Sequence, residues 1–212
     1  AYILAEIGVN HSGSQDLAME MIETASLAGA NGVKFQCYKA DNLAAKNSPA
    51  YWDINKETEK TQYSLFKRLE TANFDFYKPL IDACKKFNVD FLSTCFDKEL
   101  VDIFDSYLPF HKISSSDLTN IPLIDHIMSK GKPIVLSTGA STLEEIDITV
   151  EHILSNSNSD LTVLHCVLNY PCSVDKANIS MISTLKDRYI DKGIQIGYSC
   201  HVPVPDGIEC VL

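Results

Sequence analysis

Apolar positions along the chain follow two periods that alternate from end to end. Seven short runs are dense in β-branched and aromatic residues: 2–8 (YILAEIG), 32–38 (GVKFQCY), 89–94 (VDFLST), 110–114 (FHKIS), 132–138 (KPIVLST), 161–168 (LTVLHCVL) and 193–199 (GIQIGYS). Their length and turn-forming flanks predict strands. Longer amphipathic stretches lie between them. In SQDLAMEMIETASLAG, Leu17, Met21, Ile22 and Ala25 recur at helical spacing, with Ser14 or Asp16 as N-cap and Gly29 at the end. YSLFKRLE, FDFYKPLIDACKKF, 97–106, 121–130, STLEEIDITVEHIL and 178–188 predict further helices, and Thr142 to Glu145 has capping-box spacing. A polar excursion at 39–62 interrupts the alternation and carries the only tryptophan, Trp52.

Strands that alternate with helices pair in parallel through crossover helices, which makes an α/β fold. An open doubly wound sheet gathers its site at one switch point. A (β/α)8 TIM barrel draws on the C-terminal ends of all its strands. Here Glu6, Lys34, Gln36, Thr94, Lys112, Ser115, Ser137, His165, Ser199 and His201 sit at or just past strand ends, so the barrel is the expected fold. It is expected to be incomplete, with about seven β/α units where the full barrel has eight and takes about 250 residues. This chain of 212 residues stops in GIECVL, which reads as the start of the seventh helix. No linker or repeat marks a second domain, so residues 1–212 are expected to form one barrel domain lacking its C-terminal part.

The charge balance narrows the partners. With 18 Lys and Arg against 28 Asp and Glu, the net charge is −10. A nucleic-acid or anionic-membrane surface needs a basic face and is not expected. An anionic ligand must therefore be held by a few local cations and backbone N–H groups. Cysteines stand at 37, 84, 95, 166, 172, 200 and 210, an odd number with no CxxC pair, which reads as reduced thiols. No run reaches the roughly 18 apolar residues of a membrane span. The chain opens directly into a strand-like run, without the features of a signal peptide, so the cytoplasm is the expected compartment.

The strand-end residues are the candidate chemistry. A lysine inside a barrel is costly unless it is paired or meets an anion, and Lys34 and Lys112 repeat that situation. Ser115, Ser137 and the N–H groups near Gly139 are of the kind that hold phosphate oxygens, although serines in such turns also serve as helix caps. Glu6 is either a salt-bridge partner for Lys34 or a general base. Asn10, His11 and Gly13 read as a turn, and His165 as a hydrogen-bonded core histidine. His201 falls just past a strand end. Cys200 beside it points the opposite way in extended structure, which weighs against both binding one ion.

Taken together, AEIGVNHSG (5–13), AGANGVKFQ (28–36), FLSTCFD (91–97), HKISSSDLTNIPLI (111–124), KPIVLSTGAS (132–141), LHCVLNYP (164–171) and IGYSCHVPVPDG (196–207) resemble, in the same order, the sialic acid synthase family. That family comprises the N-acetylneuraminate synthases and their legionaminate and pseudaminate relatives. The resemblance implies a (β/α)8 barrel that condenses phosphoenolpyruvate with an N-acetylated aminohexose, such as N-acetylmannosamine, to give a nonulosonic acid and phosphate. It implies that Lys34, Thr94, Lys112, Ser115, Ser137, Tyr170 and Ser199 hold the phosphate and carboxylate of phosphoenolpyruvate. Gln36 and Asp117 would face the sugar, and Glu6 would stand at the reacting centre. His201 would be one of two histidine ligands of a divalent ion, Mn2+ or Mg2+. A homodimer is implied at full length. The chain departs from the family pattern at Cys200, where an aspartate is usual, at Cys95, where a proline is usual, and at Asp117, a glutamate in many members. The second metal histidine belongs to an eighth strand, so the 212-residue chain alone is expected to be inactive. Two other readings stay open: a related synthase acting on a phosphorylated aldose, and a non-catalytic homologue that still binds the anion.

Overall fold

The computed structural model describes residues 1–71 and 73–209. The chain divides into two compact units, Ala1–Pro109 and Phe110–Leu212. The first unit carries β1 (Leu4–Gly8), α1 (Gln15–Leu27), β2 (Gly32–Cys37), α2 (Ala40–Leu43), α3 (Gln62–Leu69), α4 (Phe74–Lys86), β3 (Asp90–Cys95) and α5 (Lys98–Phe104). The second carries β4 (His111–Ile113), α6 (Ile121–Met128), β5 (Ile134–Ser137), α7 (Leu143–Asn156), β6 (Leu161–Cys166), α8 (Met181–Tyr189), β7 (Gln195–Ser199) and α9 (Asp206–Glu209). All seven runs predicted as strands are strands, and each is followed by a helix. The run GIECVL enters α9, with Cys210 to Leu212 outside the described residues.

Every pairing between these strands is parallel. The orders are β1-β2-β3 in one sheet and β4-β5-β6-β7 in the other. Within each sheet the strands follow chain order, as successive barrel strands do, with no reversal of the kind that defines a doubly wound sheet. The protein is thus α/β with about seven parallel β/α units, the count of an incomplete barrel.

Each sheet has a layered logic set by strand parity. In the first unit, Phe35 and Phe91 stack at 5.6 Å on one face of β2 and β3, and Tyr77 of α4 meets Phe35 and Phe104 edge-on. Phe35, Tyr77 and Phe104 are fully buried; each such side chain stabilises the fold by roughly 1.5–3 kcal/mol. The opposite face of this sheet carries Glu6 on β1 and Lys34 and Gln36 on β2. Helix α4 continues through Pro79, whose ring leaves the Asp75 carbonyl without its helical donor. Gln15, the first residue of α1, donates Nε2 to the Phe76 carbonyl at 3.0 Å and reaches the Asp75 carbonyl at 3.5 Å.

Helix α7 begins with the capping box expected from the sequence: Thr142 Oγ1 accepts from the Glu145 N–H, and the Glu145 carboxylate accepts from the Thr142 N–H. Asp147 ties α7 to α8 by accepting from the Arg188 guanidinium and, at 2.9 Å, from the Tyr189 hydroxyl. The polar excursion is ordered around α3. Trp52 Nε1 donates to the Glu59 carbonyl at 3.0 Å, and Arg68 pairs with Glu57 and Glu59. The six described cysteines are free thiols; Cys210 lies outside the described residues. No described helix is long and apolar enough to cross a membrane.

Candidate functional site

In the first unit the chemistry collects at the C-terminal ends of β1, β2 and β3. Register pairs Glu6 with Lys34, Lys34 with Leu92, and Gln36 with Thr94, so these side chains share one sheet face. The pairing slips between Glu6 and Gly8, a bulge of the kind that re-aims a side chain at a strand end. Lys34 is only 8% exposed. Its ammonium lies 2.5 Å from Glu6 Oε2 and donates to Thr94 Oγ1 at 3.2 Å. Of the two sequence readings of Glu6, the ion pair with Lys34 is thus present. The Glu6 side chain remains 46% exposed, so the same carboxylate can face a ligand. Gly8 has φ +57°, and a Cβ there would stand 3.1 Å from Glu6 Oε1. Glycine therefore meets both the backbone and the space requirement beside the carboxylate.

The β1–α1 loop holds a residue that the sequence reading understated. Asn10, His11 and Gly13 do form a turn, but His11 is completely buried. Its ring centroid lies 5.0 Å from that of Phe76 and 5.8 Å from that of Phe35. The Gly13 N–H donates to Nδ1 at 3.1 Å, while Nε2 is buried without a hydrogen-bond partner. Burial lowers the pKa of this imidazole below that of a free histidine. The signal available in sequence was the spacing from His11 to the apolar residues of β2 and α4, which only the fold brings together.

The second unit repeats the lysine–hydroxyl geometry. Lys112 pairs with Val135 in register, and Lys34 with Leu92. Each lysine reaches the hydroxyl two residues further along the next strand: Thr94 for Lys34, Ser137 for Lys112. Lys112, 8% exposed, donates to Ser137 Oγ at 2.6 Å and to the Ile113 carbonyl at 2.9 Å. Ser115 and Asp117 lie on the 3-10 turn that follows β4. Ser115 Oγ accepts from the Gly139 N–H at 3.0 Å and lies 3.1 Å from Cys166 Sγ. Asn120 donates to Asp117 at 3.1 Å. Burial nonetheless pushes the Asp117 carboxyl above the ordinary carboxylate range, against the hydrogen bonds from Asn120 and the neighbouring serines.

Parity separates the remaining candidates. Cys166 pairs with Ser199 and lies two residues from Leu164, which pairs with Ser137. Cys166 and Ser199 therefore share the face of Ser137, which places Cys166, not singled out by the sequence, beside the candidate residues. His165 lies on the opposite face with Tyr198, stacked at 5.6 Å, and its Nε2 meets the Ala177 carbonyl at 2.8 Å. It is the buried, hydrogen-bonded core histidine the sequence suggested. A cavity of about 390 Å3 beside α7 is lined by Thr138, Ser141, Ile146, His165, Cys166 and Met181 among others, and contains neither lysine nor aspartate.

His201 Nδ1 lies 2.7 Å from the Val167 carbonyl, and the Tyr170 ring stands 4.2 Å from the imidazole. A carbonyl at Nδ1 places the proton there and leaves the Nε2 lone pair as the donor, the arrangement common to metal-binding histidines. Cys200 turns instead into an apolar cluster with Cys172, Ala177 and Val202, with its sulfur near the Val202 and Gly207 carbonyls. It is not a second donor beside His201. Among the described residues no group of three or more His, Cys, Asp or Glu side chains could hold a metal ion. A bound zinc, magnesium or manganese ion takes four to six donors, so these residues do not assemble that donor set by themselves.

Comparison with known proteins follows the same lines. The model of the NeuB family matches residues 21–211. The N,N'-diacetyllegionaminic acid synthase of Legionella pneumophila is 38% identical over 207 residues, covering 94% of this chain and 57% of that protein. The enzyme of the same name from Campylobacter jejuni is 37% identical over 205 residues, covering 94% of this chain and 60% of that protein. Among solved structures, the N-acetylneuraminic acid synthetase of Leptospira borgpetersenii, in complex with citrate, superposes with a TM-score of 0.85 at 31% identity, over 99% of this chain and 68% of that one. The chain thus spans somewhat over half the length of the curated relatives it matches.

Proposed function

Because the chain belongs to the NeuB family, we propose that the whole protein condenses phosphoenolpyruvate with an N-acetylated aminohexose, giving a nonulosonic acid and inorganic phosphate. The observation that carries this reading is the repeated strand-end pair of a buried lysine and a hydroxyl, Lys34 with Thr94 and Lys112 with Ser137. An acidic protein that keeps two lysines nearly out of solvent, each beside a hydroxyl donor, is suited to a small ligand of high negative charge. We read residues 1–212 as one phosphoenolpyruvate-binding domain of that protein.

The roles follow from chemistry. Lys112 with Ser115 and Ser137 is assigned to the anionic groups of phosphoenolpyruvate, as is Lys34 with Thr94; Tyr170 and Ser199 are further contacts. Gln36 and Asp117 are assigned to the sugar. In the reaction, carbon 3 of phosphoenolpyruvate forms a bond to the aldehyde carbon of the open-chain sugar, and the electron pair comes from the enol double bond. The aldehyde C=O electron pair moves to its oxygen, which takes up a proton to become a hydroxyl. Carbon 2 is left cationic, and water adds to it with loss of one proton. The tetrahedral intermediate then breaks its bond to the phosphate oxygen, and the carbon 2 hydroxyl becomes the keto group as its proton goes to the departing phosphate. Glu6 stabilises the cation and takes the proton that water releases. Lys34 keeps the Glu6 carboxylate directed at the strand end while the proton is exchanged. For a divalent Mn2+ or Mg2+ ion we assign His201 as one ligand. Such an ion would supply Lewis-acid polarisation of the aldehyde.

The test is phosphate release from phosphoenolpyruvate by a protein of the relatives' full length. Release is expected only when an N-acetylated hexosamine and a divalent cation are both present. No release with any N-acetylated hexosamine overturns the reading. Because the described residues contain no complete metal-ligand group, the anion-binding, non-catalytic reading has its own test. Calorimetric binding of phosphoenolpyruvate that is indifferent to manganese and to His201→Ala would favour it.

A further inference from the structure

The structure assigns a role to Cys166, a residue with no place in the scheme above. Three strand ends of the second unit meet around one hydroxyl. Ser115 Oγ, just after β4, accepts from the Gly139 N–H at 3.0 Å, just after β5, and touches Cys166 Sγ at 3.1 Å, at the end of β6. The packing leaves no slack. A Cβ on residue 139 would lie 2.8 Å from Cys166 Sγ, 2.9 Å from Ser115 Oγ and 3.1 Å from the Leu168 nitrogen. Cys166 is buried, whereas Ser115 is partly open.

The hydrogen-bond accounting of this cluster is restrictive. A hydroxyl has one proton to give and two lone pairs to receive with. The Gly139 N–H occupies one lone pair. If Ser115 gave its proton to the sulfur, the buried thiol proton would have no acceptor of its own, since Ser115 is the only hydrogen-bond partner of Cys166 Sγ among the described residues. If the thiol donates, both lone pairs of Ser115 are filled and every proton in the cluster is used except that of the hydroxyl. That proton then has to point out of the cluster. A hydroxyl that can only donate selects an acceptor-only ligand, such as a phosphate or carboxylate.

We propose that Cys166 is a positioning residue, whose S–H, together with the Gly139 N–H, saturates Ser115 Oγ and makes the serine an obligate hydrogen-bond donor to phosphoenolpyruvate. The proposal rests on the assignment of this strand end to phosphoenolpyruvate. Its test is a double-mutant cycle on a protein of full length, reading the calorimetric Kd for phosphoenolpyruvate. Cys166→Ala is expected to weaken binding about three- to tenfold, the size of one hydrogen bond, and Cys166→Ser to recover most of the loss. Ser115→Ala is expected to weaken binding as well, and adding Cys166→Ala to it should cost nothing further. Infrared difference spectra of the unmodified protein give a second readout that needs no variant to fold. One S–H stretching band should shift to lower frequency when phosphoenolpyruvate is added, as the chain of hydrogen bonds polarises. Additive losses in the cycle, failure of serine to rescue, or an S–H spectrum unmoved by the ligand overturns the proposal. If the unmodified protein binds no phosphoenolpyruvate, the assignment of the strand end falls, and this inference falls with it.

Discussion

The imidazole of His11 is held neutral by its surroundings. The Gly13 N–H makes Nδ1 an acceptor, so the proton sits on Nε2, and the ring is enclosed by Phe35 and Phe76. Protonation would turn Nδ1 into a second donor facing another donor, inside an apolar setting. The folded-state pKa therefore lies below the free-histidine value of 6.5, and between the two values the unfolded chain binds more protons than the folded one. Stability from this site is fully present above the free pKa and is lost as the pH falls through that window toward the folded value. The urea midpoint of the protein is expected to fall between about pH 7 and pH 5, spanning the free-histidine pKa. In His11→Gln, which keeps an acceptor but takes no charge, the fall should be smaller. Equal slopes in the two proteins would show that His11 is not the titrating group. Lys34 and Lys112 are buried differently: each side-chain nitrogen lies against oxygen acceptors, which offsets the loss of water.

At the scale of elements, helix α7 offers the clearest link from sequence to stability. Thr142 and Glu145 satisfy each other's backbone N–H groups at its first turn. Ile146, Val150 and Ile153 then recur on its buried side. Thr142→Ala removes one half of the box and is expected to destabilise the fold by about 0.5–2 kcal/mol, read as a lower urea midpoint with an unchanged m-value. A midpoint within error of the unmodified protein would mean that α7 is held by packing alone. The strands carry the other element-level lesson. Both lysines reach the hydroxyl two residues further along the next strand because parallel pairing and the two-residue side-chain repeat put those atoms on one face. The same parity sends His165 to the face opposite Ser137 and Ser199.

For the molecule as a whole, the arginines within residues 1–212 are already committed to ion pairs. A sugar phosphate calls for a cationic fork, which arginine provides best. The chain has two arginines, Arg68 on α3 and Arg188 on α8. Arg68 is bound to Glu57 and Glu59, and Arg188 to Asp147. If residues 1–212 supplied every contact to the acceptor of the proposed reaction, an unphosphorylated N-acetylated hexosamine would be preferred over its 6-phosphate by at least about tenfold in kcat/KM. A substrate panel on the full-length protein measures this ratio directly, and a preference for the phosphate would return the aldose-phosphate reading to first place.

The strands, their parallel pairing, the helix caps and the candidate lysines were legible in the sequence because each depends on neighbours within a few residues or on a simple period. Ser14 caps α1 and Thr142 caps α7 for local reasons, and the alternation of strand and helix leaves few topologies. Cys166 and His11 were not legible as special. LHCVL reads as an apolar run, and NHSG reads as a turn, until other segments arrive beside them. What the sequence by itself determined is the order of parallel β/α units and the residue types at their ends, since periodicity and capping act over short range. Only the tertiary structure decided which of those residues share a face, that Lys34 pairs with Glu6, that Cys200 turns into an apolar cluster while His201 faces Val167, and that one serine hydroxyl is enclosed by a glycine N–H and a thiol. The contacts of Lys34, His201 and Ser115 join residues 24 to 51 positions apart, and their distances are set by sheet register and packing, which no local pattern encodes.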